Sequence, residues 1–384
     1  MLRMLVIKLL AACYLMSVSH AVCAQERFRF PEARHVGGEL VYVHEVPVAI
    51  VGGTPEEIGD QLGQLVLKPA RELTHLGDDF LEQQNLAGLK NVLLGAGGVF
   101  TKQFPEDALA ELQAAARTSE WPENLLVFGN VVTDLRHLVH CSTMTIEPVR
   151  STTGGTLFGR NLDWPSIGRL PEFTYVMVAR PTGKKAFASV TFPGMLGCTS
   201  AMNEAGLALA MLDVTDSKDE ATYFNPQGIP THYALRRIME ECATIEDAVE
   251  LMRSIERASL LNISISDRTH AAVIEVTPKT VFVRSSENGV CLCTNEFLTP
   301  ELGTRETSRR FDILEQSLDE EKVSVQDLWQ RLDLVNQGDA TLQSMVFEPT
   351  PLRLHLAFGY GPATKLKLQT VDLKPLFAKK LDSE

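Results

Sequence analysis

The chain lacks a positive charge balance. Its 384 residues carry 36 Lys and Arg against 49 Asp and Glu, a formal net charge of −13. A phosphate backbone asks for a basic surface, so this balance argues against a nucleic-acid partner. Disulfide density is missing too. Seven cysteines (Cys13, Cys23, Cys141, Cys198, Cys242, Cys291 and Cys293) in a chain of this length do not make a stapled scaffold. Cys291 and Cys293 alternate along an expected strand, but no His or Cys lies at the spacing a zinc site needs, so they read as small packed residues. No metal and no cofactor is expected. Gly52-Gly53 and Gly154-Gly155 belong to no phosphate-binding fingerprint. No fixed-period repeat or low-complexity linker is present. Beyond the first two dozen residues no apolar run is long enough to cross a bilayer. What is there is ordinary for a soluble globular chain: 45% hydrophobic and 22% charged residues, enough for one large two-layered unit.

Residues 1–24 read as a secretory signal peptide. Arg3 and Lys8 form the basic region, Leu9 to Val18 is apolar, and Val22-Cys23-Ala24 offers small residues for a cut after Ala24. An N-terminal anchor and a lipoprotein using Cys23 rank below this reading. The expectation is an exported protein, periplasmic or secreted. Five cysteines then remain, so at least one thiol is unpaired.

Residues 25–140 form a mainly helical segment, either an extra layer or a pro-segment. It opens with a strand over Glu39 to Ile50. Thr54-Pro55-Glu56-Glu57 supplies an N-cap, a first-turn proline and acids for a helix. Further helical patterns run over Ala70 to Leu89, Pro105 to Thr118 and Asn124 to His140. The character changes at Cys141. Strands are expected over Cys141–Glu147, Thr156–Trp164, Thr174–Arg180, Ala186–Thr191 and Leu207–Leu212. Helix returns over Pro230 to Ile255, with a break near Thr244. Strands follow at Leu261–Ser266, His270–Val276, Val281–Arg284 and Val290–Thr294. Two helices, Ser308–Leu318 and Ser324–Val335, precede strands Gln343–Glu348, Arg353–Phe358 and Lys365–Val371. Two strand blocks separated by helices predict two packed sheets with helices outside.

The chemistry centres on Cys141, which opens a strand, and on Arg160 and Asp163 at the end of the next strand. A hairpin returns those two residues to the level of the cysteine. A thiol needs a base or a positive field to become a nucleophile. The neighbouring His140 points the other way on a strand. A cut at the His140–Cys141 bond instead gives Cys141 its own α-amine, with a pKa near ~7.7–8.0, suited to a general base at neutral pH. Asp163 is then placed to orient that amine, and Arg160 to lower the thiol pKa or hold a substrate carbonyl. A structural Arg–Asp pair is the bland alternative.

Cys141 followed by Phe158-Gly159-Arg160-Asn161-Leu162-Asp163-Trp164 resembles the cysteine N-terminal-nucleophile (Ntn) hydrolases. That superfamily includes choloylglycine hydrolases, penicillin V acylases, acid ceramidase, N-acylethanolamine amidase and the isopenicillin-N acyltransferase group. The likeness continues through Gly206-Leu207-Ala208-Leu209, Leu212-Asp213, Thr294-Asn295 and Ser308-Arg309-Arg310-Phe311. The long segment before the cysteine is similar to the ceramidase and acyltransferase branches, which are made as precursors.

The resemblance implies that Asn295 donates its amide to an oxyanion, as suits a neutral donor. It also implies one arginine near residue 309 that faces the nucleophile. Adjacent helical residues cannot both do so. Arg309 is favoured, with Arg310 as a solvated helix charge. Asp213 departs from the family's Asn; it either binds the amine side of a substrate or closes a turn. Trp164 reads as a cleft wall, and Asn161 as a hydrogen-bond hub. Asn262-Ile263-Ser264 matches a glycosylation sequon but falls in an expected strand. Cys198, His232 and His355 read as packed residues.

The expected fold is α+β, a four-layer αββα Ntn-hydrolase sandwich over 141–384. The expected reaction is hydrolysis of a linear non-peptide amide, an N-acyl compound, after self-cleavage at His140–Cys141. The alternatives are an acyltransferase on the same scaffold, a non-catalytic ligand-binding relative, and a cysteine enzyme with an intact chain and a His base.

Overall fold

In the computed structural model, residues 27–75, 95, 98–135, 140–318 and 321–379 are described. The signal-peptide reading and much of the helix expected over Ala70 to Leu89 fall outside them. In chain order the first strands are β1 (Ala33–His35), β2 (Gly38–Val43) and β3 (Val46–Gly53), followed by helices α1 (Pro55–Leu62), α2 (Glu106–Ser119) and α3 (Glu123–Leu135). Next come β4 (His140–Ile146), β5 (Leu157–Asp163), β6 (Tyr175–Pro181), β7 (Phe187–Thr191), β8 (Ser200–Asn203) and β9 (Ala208–Asp213). Helices α4 (Thr231–Glu241) and α5 (Ile245–Ser254) lead to β10 (Leu261–Ser266), β11 (Ala271–Val276), β12 (Val281–Ser285) and β13 (Val290–Cys293). The chain closes with α6 (Arg309–Gln316), α7 (Val325–Leu334), β14 (Thr341–Glu348), β15 (Arg353–Phe358), β16 (Gln369–Asp372) and α8 (Lys374–Ala378).

Among the described residues the strands form two sheets. One has ten strands in the order β1-β2-β3-β6-β7-β8-β9-β10-β11-β12; the other has six, ordered β13-β4-β5-β14-β15-β16. Side-chain alternation gives each sheet two apolar faces. Val48 and Ile50 of β3 and Val176 and Val178 of β6 meet Phe158 of β5 and Phe347 of β14 between the sheets. The opposite face of the ten-stranded sheet, with Val51, Met177 and Ile263, packs under Ile58, Leu112 and Leu235 of the helices. The opposite face of the six-stranded sheet, with Met144, Leu157 and Val346, packs under Phe311, Leu328 and Leu332. The layers are therefore helix, sheet, sheet, helix: the αββα sandwich that the strand blocks predict.

Local chemistry explains the helix ends. Thr54, Thr244 and Ser324 each accept a hydrogen bond from the backbone N–H of the third residue of the helix, whose carboxylate in turn accepts one from the cap's own N–H. Gly59 lets α1 and α2 touch: a Cβ there would lie 2.1 Å from the backbone oxygen of Glu111.

Four features differ from expectation. The single strand over Glu39 to Ile50 is a hairpin, with β2 and β3 joined at His44-Glu45. His44 takes the left-handed conformation (φ 56°) without the Gly or Asn that signals such a turn. The helix expected to reach His140 is described as far as Leu135, and His140 itself is strand, paired with Asp163. The segment before Cys141 is more than a helical layer. Its strand β3 runs parallel to β6 inside the larger sheet, and only its helices lie outside. β8 carries no apolar alternation and was not expected.

Candidate active site

β4 and β5 are antiparallel neighbours, with Cys141 opposite Leu162 and Thr143 opposite Arg160. Alternation puts Cys141, Arg160 and Leu162 on the face between the sheets. Arg160 is fully buried there; its Nη2 donates to Cys141 Sγ at 3.2 Å and its Nη1 donates to the Thr199 carbonyl at 2.5 Å. Cys141 is itself fully buried. Burial pushes its thiol up to about 11; the Arg160 charge opposes this, and Asp163 and Asp213 add to it. In the intact chain the thiol is thus neutral near pH 7. All five cysteines from Cys141 onward are free and buried.

The backbone of Cys141 is held as firmly as its side chain. Its N–H donates to Asn295 Oδ1 at 2.8 Å. Its carbonyl accepts from Arg310 Nη1 at 2.6 Å. Arg310 Nη2 donates to the same Asn295 oxygen at 2.8 Å, and Asn295 Nδ2 donates to the Asp213 carbonyl at 2.8 Å. Asp163 Oδ2 lies 3.6 Å from Arg310 Nη1, while Asp163 Oδ1 accepts from Thr341 Oγ1 at 2.5 Å. Burial lifts the Asp163 carboxyl to about 6 against the Thr341 hydrogen bond and the two arginines.

Cys141, Arg160, Asp163, Asp213 and Asn295 are therefore brought together. Trp164 is buried beside them, in an apolar cluster with Cys141, Leu162, Phe192 and Leu212. Arg309 is not there. It is exposed, and Arg310 takes the place expected of it. Helix phase explains the correction. Ser308 is the N-cap and accepts from the Phe311 N–H, and Phe311 and Leu314 form the buried face of α6. One residue before Phe311, Arg310 turns toward β4, and Arg309 is left at the solvent side. The role expected of Asn295 is also differently wired in the intact chain. It lies in the turn after β13, and its amide hydrogen bonds go to Cys141, Arg310 and Asp213.

His140 is exposed on the strand face opposite to Cys141. Asn161 faces the helices and joins the Leu332 carbonyl to Ser344. His232 is buried against Thr133, and His355 bonds Thr370 and Glu348. Asn161, His232 and His355 do not reach the site. Thr199 and Thr341 were missed. Their contributions depend on pairings across many residues, and neither carries a local motif. Among the described residues no group of three or more His, Cys, Asp or Glu is placed to hold a metal ion. No described helix is long and apolar enough to cross a membrane.

No curated protein matches the chain. Solved structures similar to it include an N-acylethanolamine-hydrolyzing acid amidase ortholog from Caenorhabditis elegans, 16% identical, with TM-score 0.43 over 54% of this chain and 93% of that one. A mutant conjugated bile acid hydrolase from Clostridium perfringens is 14% identical, with TM-score 0.42 over 63% of this chain and 96% of that one. Penicillin V acylase from Agrobacterium tumefaciens is 14% identical, with TM-score 0.41 over 60% of this chain and 86% of that one. The sequence itself matches a family model over residues 150–361, a stretch that takes in Arg160, Asp163, Asp213, Asn295 and Arg310. Since that match spans over half of the residues, the chain belongs to the acyl-coenzyme A:6-aminopenicillanic acid acyl-transferase family.

Proposed function

We propose that this protein cleaves a linear N-acyl amide, with Cys141 as an N-terminal nucleophile freed by self-cleavage at His140–Cys141. The observation that carries this reading is the grip on the Cys141 backbone nitrogen, 2.8 Å from the side-chain oxygen of Asn295. β13 stops pairing with β4 at Thr143, so the Cys141 N–H needs an acceptor, and the one it has is a side chain that Arg310 also holds in place. A nitrogen held in that way stays aimed when it becomes the base.

The first turnover is the chain's own. The Cys141 thiol attacks the His140 carbonyl, the C–N bond breaks, and the freed amine takes the thiol proton. Water then hydrolyses the thioester, leaving a His140 carboxylate and a free thiol. The amine, held by Asn295, now serves as general base for Cys141, with Arg160 stabilising the thiolate. In each later cycle the thiolate attacks the acyl carbon of the substrate. The amine passes its proton to the departing nitrogen, and water resolves the acyl-thioester. The apolar wall of Trp164, Phe192 and Leu212 suits an apolar acyl chain. The signal-like start of the sequence fits an exported enzyme.

A second reading keeps every step but the last: an amine, not water, takes the acyl group. Membership in an acyl-transferase family favours it. The test is intact mass of the purified protein, followed by a panel of N-acyl amides with and without amine acceptors. A fragment beginning at Cys141, absent in Cys141→Ala, supports the proposal. An unprocessed chain with full turnover overturns it. Acyl transfer to added amine in excess of hydrolysis selects the second reading.

A further inference from the structure

Asn262 lies on β10, in the ten-stranded sheet, and is fully buried. Its Nδ2 donates to the carbonyl of Thr294 at 3.1 Å and to that of Glu296 at 2.8 Å. Those are the residues on either side of Asn295. Both amide hydrogens of one side chain thus bracket the residue that holds the Cys141 nitrogen. They do so from the opposite sheet, because Asn295 follows β13 of the six-stranded one. We infer that Asn262 is a positioning residue, acting on the nucleophile through Asn295; this rests on the function proposed above.

The surroundings extend the bracket. Glu296 Oε1 accepts from Thr294 Oγ1 at 2.6 Å and from the Ser308 N–H at 2.8 Å. Ser308 Oγ also donates to Thr294 Oγ1 at 3.2 Å, and Ser308 caps the helix that carries Arg310. One half-buried network therefore fixes the Asn295 turn and the start of α6 together. Asn295 and Arg310 meet on a single oxygen atom, so the turn and the helix must be set in common. The Asn-Ile-Ser sequon has a different use from glycosylation: its asparagine points between the sheets with both amide hydrogens engaged.

Removing the bracket leaves the buried Thr294 carbonyl and the half-buried Glu296 carbonyl without this donor and frees the Asn295 turn. A nucleophile displaced by about 1 Å loses on the order of a hundredfold in rate. The experiment compares wild type with Asn262→Ala, Asn262→Ser and Ser266→Ala. Ser266 is equally buried on the same strand face and touches neither carbonyl, so it reports general destabilisation. Processing is followed by intact mass, turnover by kcat and KM, and Asn295 by its side-chain amide signals in [15N]Asn-labelled protein, assigned through Asn295→Asp. Asn262→Ala is expected to lose about a hundredfold in processing and kcat, with KM within about twofold and the Asn295 amide shifted. Asn262→Ser, which keeps one donor, falls between it and wild type, and Ser266→Ala matches wild type. Unchanged kcat and processing in Asn262→Ala, or an unmoved Asn295 amide, overturns the inference. Should wild type neither process nor turn over, the hydrolase reading fails, and the Asn295 amide signal alone still decides the role of Asn262. If Asn262→Ala does not fold, Asn262→Ser carries the same comparison.

Discussion

The side-chain oxygen of Asn295 accepts two hydrogen bonds at 2.8 Å, one from the Cys141 N–H and one from Arg310 Nη2. Arg310 also reaches the Cys141 carbonyl, so three groups close a small ring around one residue's backbone. The arrangement ties β4 to the turn after β13 and to the first turn of α6. It fixes the nitrogen that self-cleavage would turn into a base. It also places a permanent positive charge beside that nitrogen, which favours the neutral amine over the ammonium.

The first prediction separates the two adjacent arginines. Arg310→Ala removes the donors to Cys141 and Asn295 and leaves buried Asp163 without its nearest cation. Processing and turnover should fall on the order of a hundredfold, as for the loss of a preorganised charged donor. Arg310→Lys keeps charge but not the planar fork, and should lie between. Arg309→Ala, on the exposed side of the helix, should leave both rates within about twofold, as surface substitutions do. Mass time courses and steady-state kinetics check this. Equal loss in both alanine variants would contradict the geometry.

That pair also shows what the amino-acid sequence makes legible. Cys141, Arg160 and Asp163 can be read because one hairpin brings them together, and hairpin geometry is local. The Arg309–Arg310 choice turns on helix phase, set by which serine caps α6 and which apolar residues it buries. A one-residue error there rotates the wrong side chain inward. Thr199, Thr341 and Asn262 were out of reach for another reason. Each acts across a pairing or an inter-sheet contact joining distant stretches of chain, and their residue types occur everywhere. The sandwich itself was legible from strand blocks and alternation. The β2–β3 hairpin was not, because His44-Glu45 turns the chain without a turn residue. Nor was the parallel entry of β3 beside β6, since pairing partners leave no local mark.

The second prediction concerns pH. Burial raises Asp163 from its ordinary 3.8 to about 6. Ionised Asp163 pairs with Arg310, which holds both Cys141 and Asn295, so processing and turnover should decline as pH falls through about 6. Asp163→Asn should show a lower plateau without that limb. Stability runs the other way. A carboxyl whose folded pKa is raised stabilises the fold fully below the unfolded pKa and loses that contribution as pH rises through the folded one. Two units correspond to about 3 kcal/mol. Asp163→Asn should therefore gain stability relative to wild type between pH 4 and pH 7 by up to about 3 kcal/mol. Denaturant titrations at the two pH values check the sign; a gap that narrows toward pH 7 refutes it.

The third prediction concerns the join between the segments before and after Cys141. Glu111 of α2 and Arg236 of α4 form a bidentate pair, with Nη1–Oε1 2.7 Å and Nη2–Oε2 2.6 Å. Both are buried, at 1% and 5% exposure. Arg236 also donates to Glu240 at 2.8 Å and to the Leu196 carbonyl at 2.8 Å. Glu111→Ala leaves a buried guanidinium with only part of its partners, a change that costs about 3–5 kcal/mol. In a chain of 384 residues about 1 kcal/mol moves Tm by about 1 °C, so a fall of about 5 °C is expected by calorimetry. The double variant Glu111→Leu with Arg236→Met removes both charges and should recover most of that loss, because well-packed apolar replacements of buried pairs are often neutral or stabilising. If the bond at His140–Cys141 is cut as proposed, the same pair links two separate polypeptides. Glu111→Ala should then lower the denaturant concentration at which the fragments part on size exclusion. A Tm within about 2 °C of wild type would mean that the pair contributes little to the join.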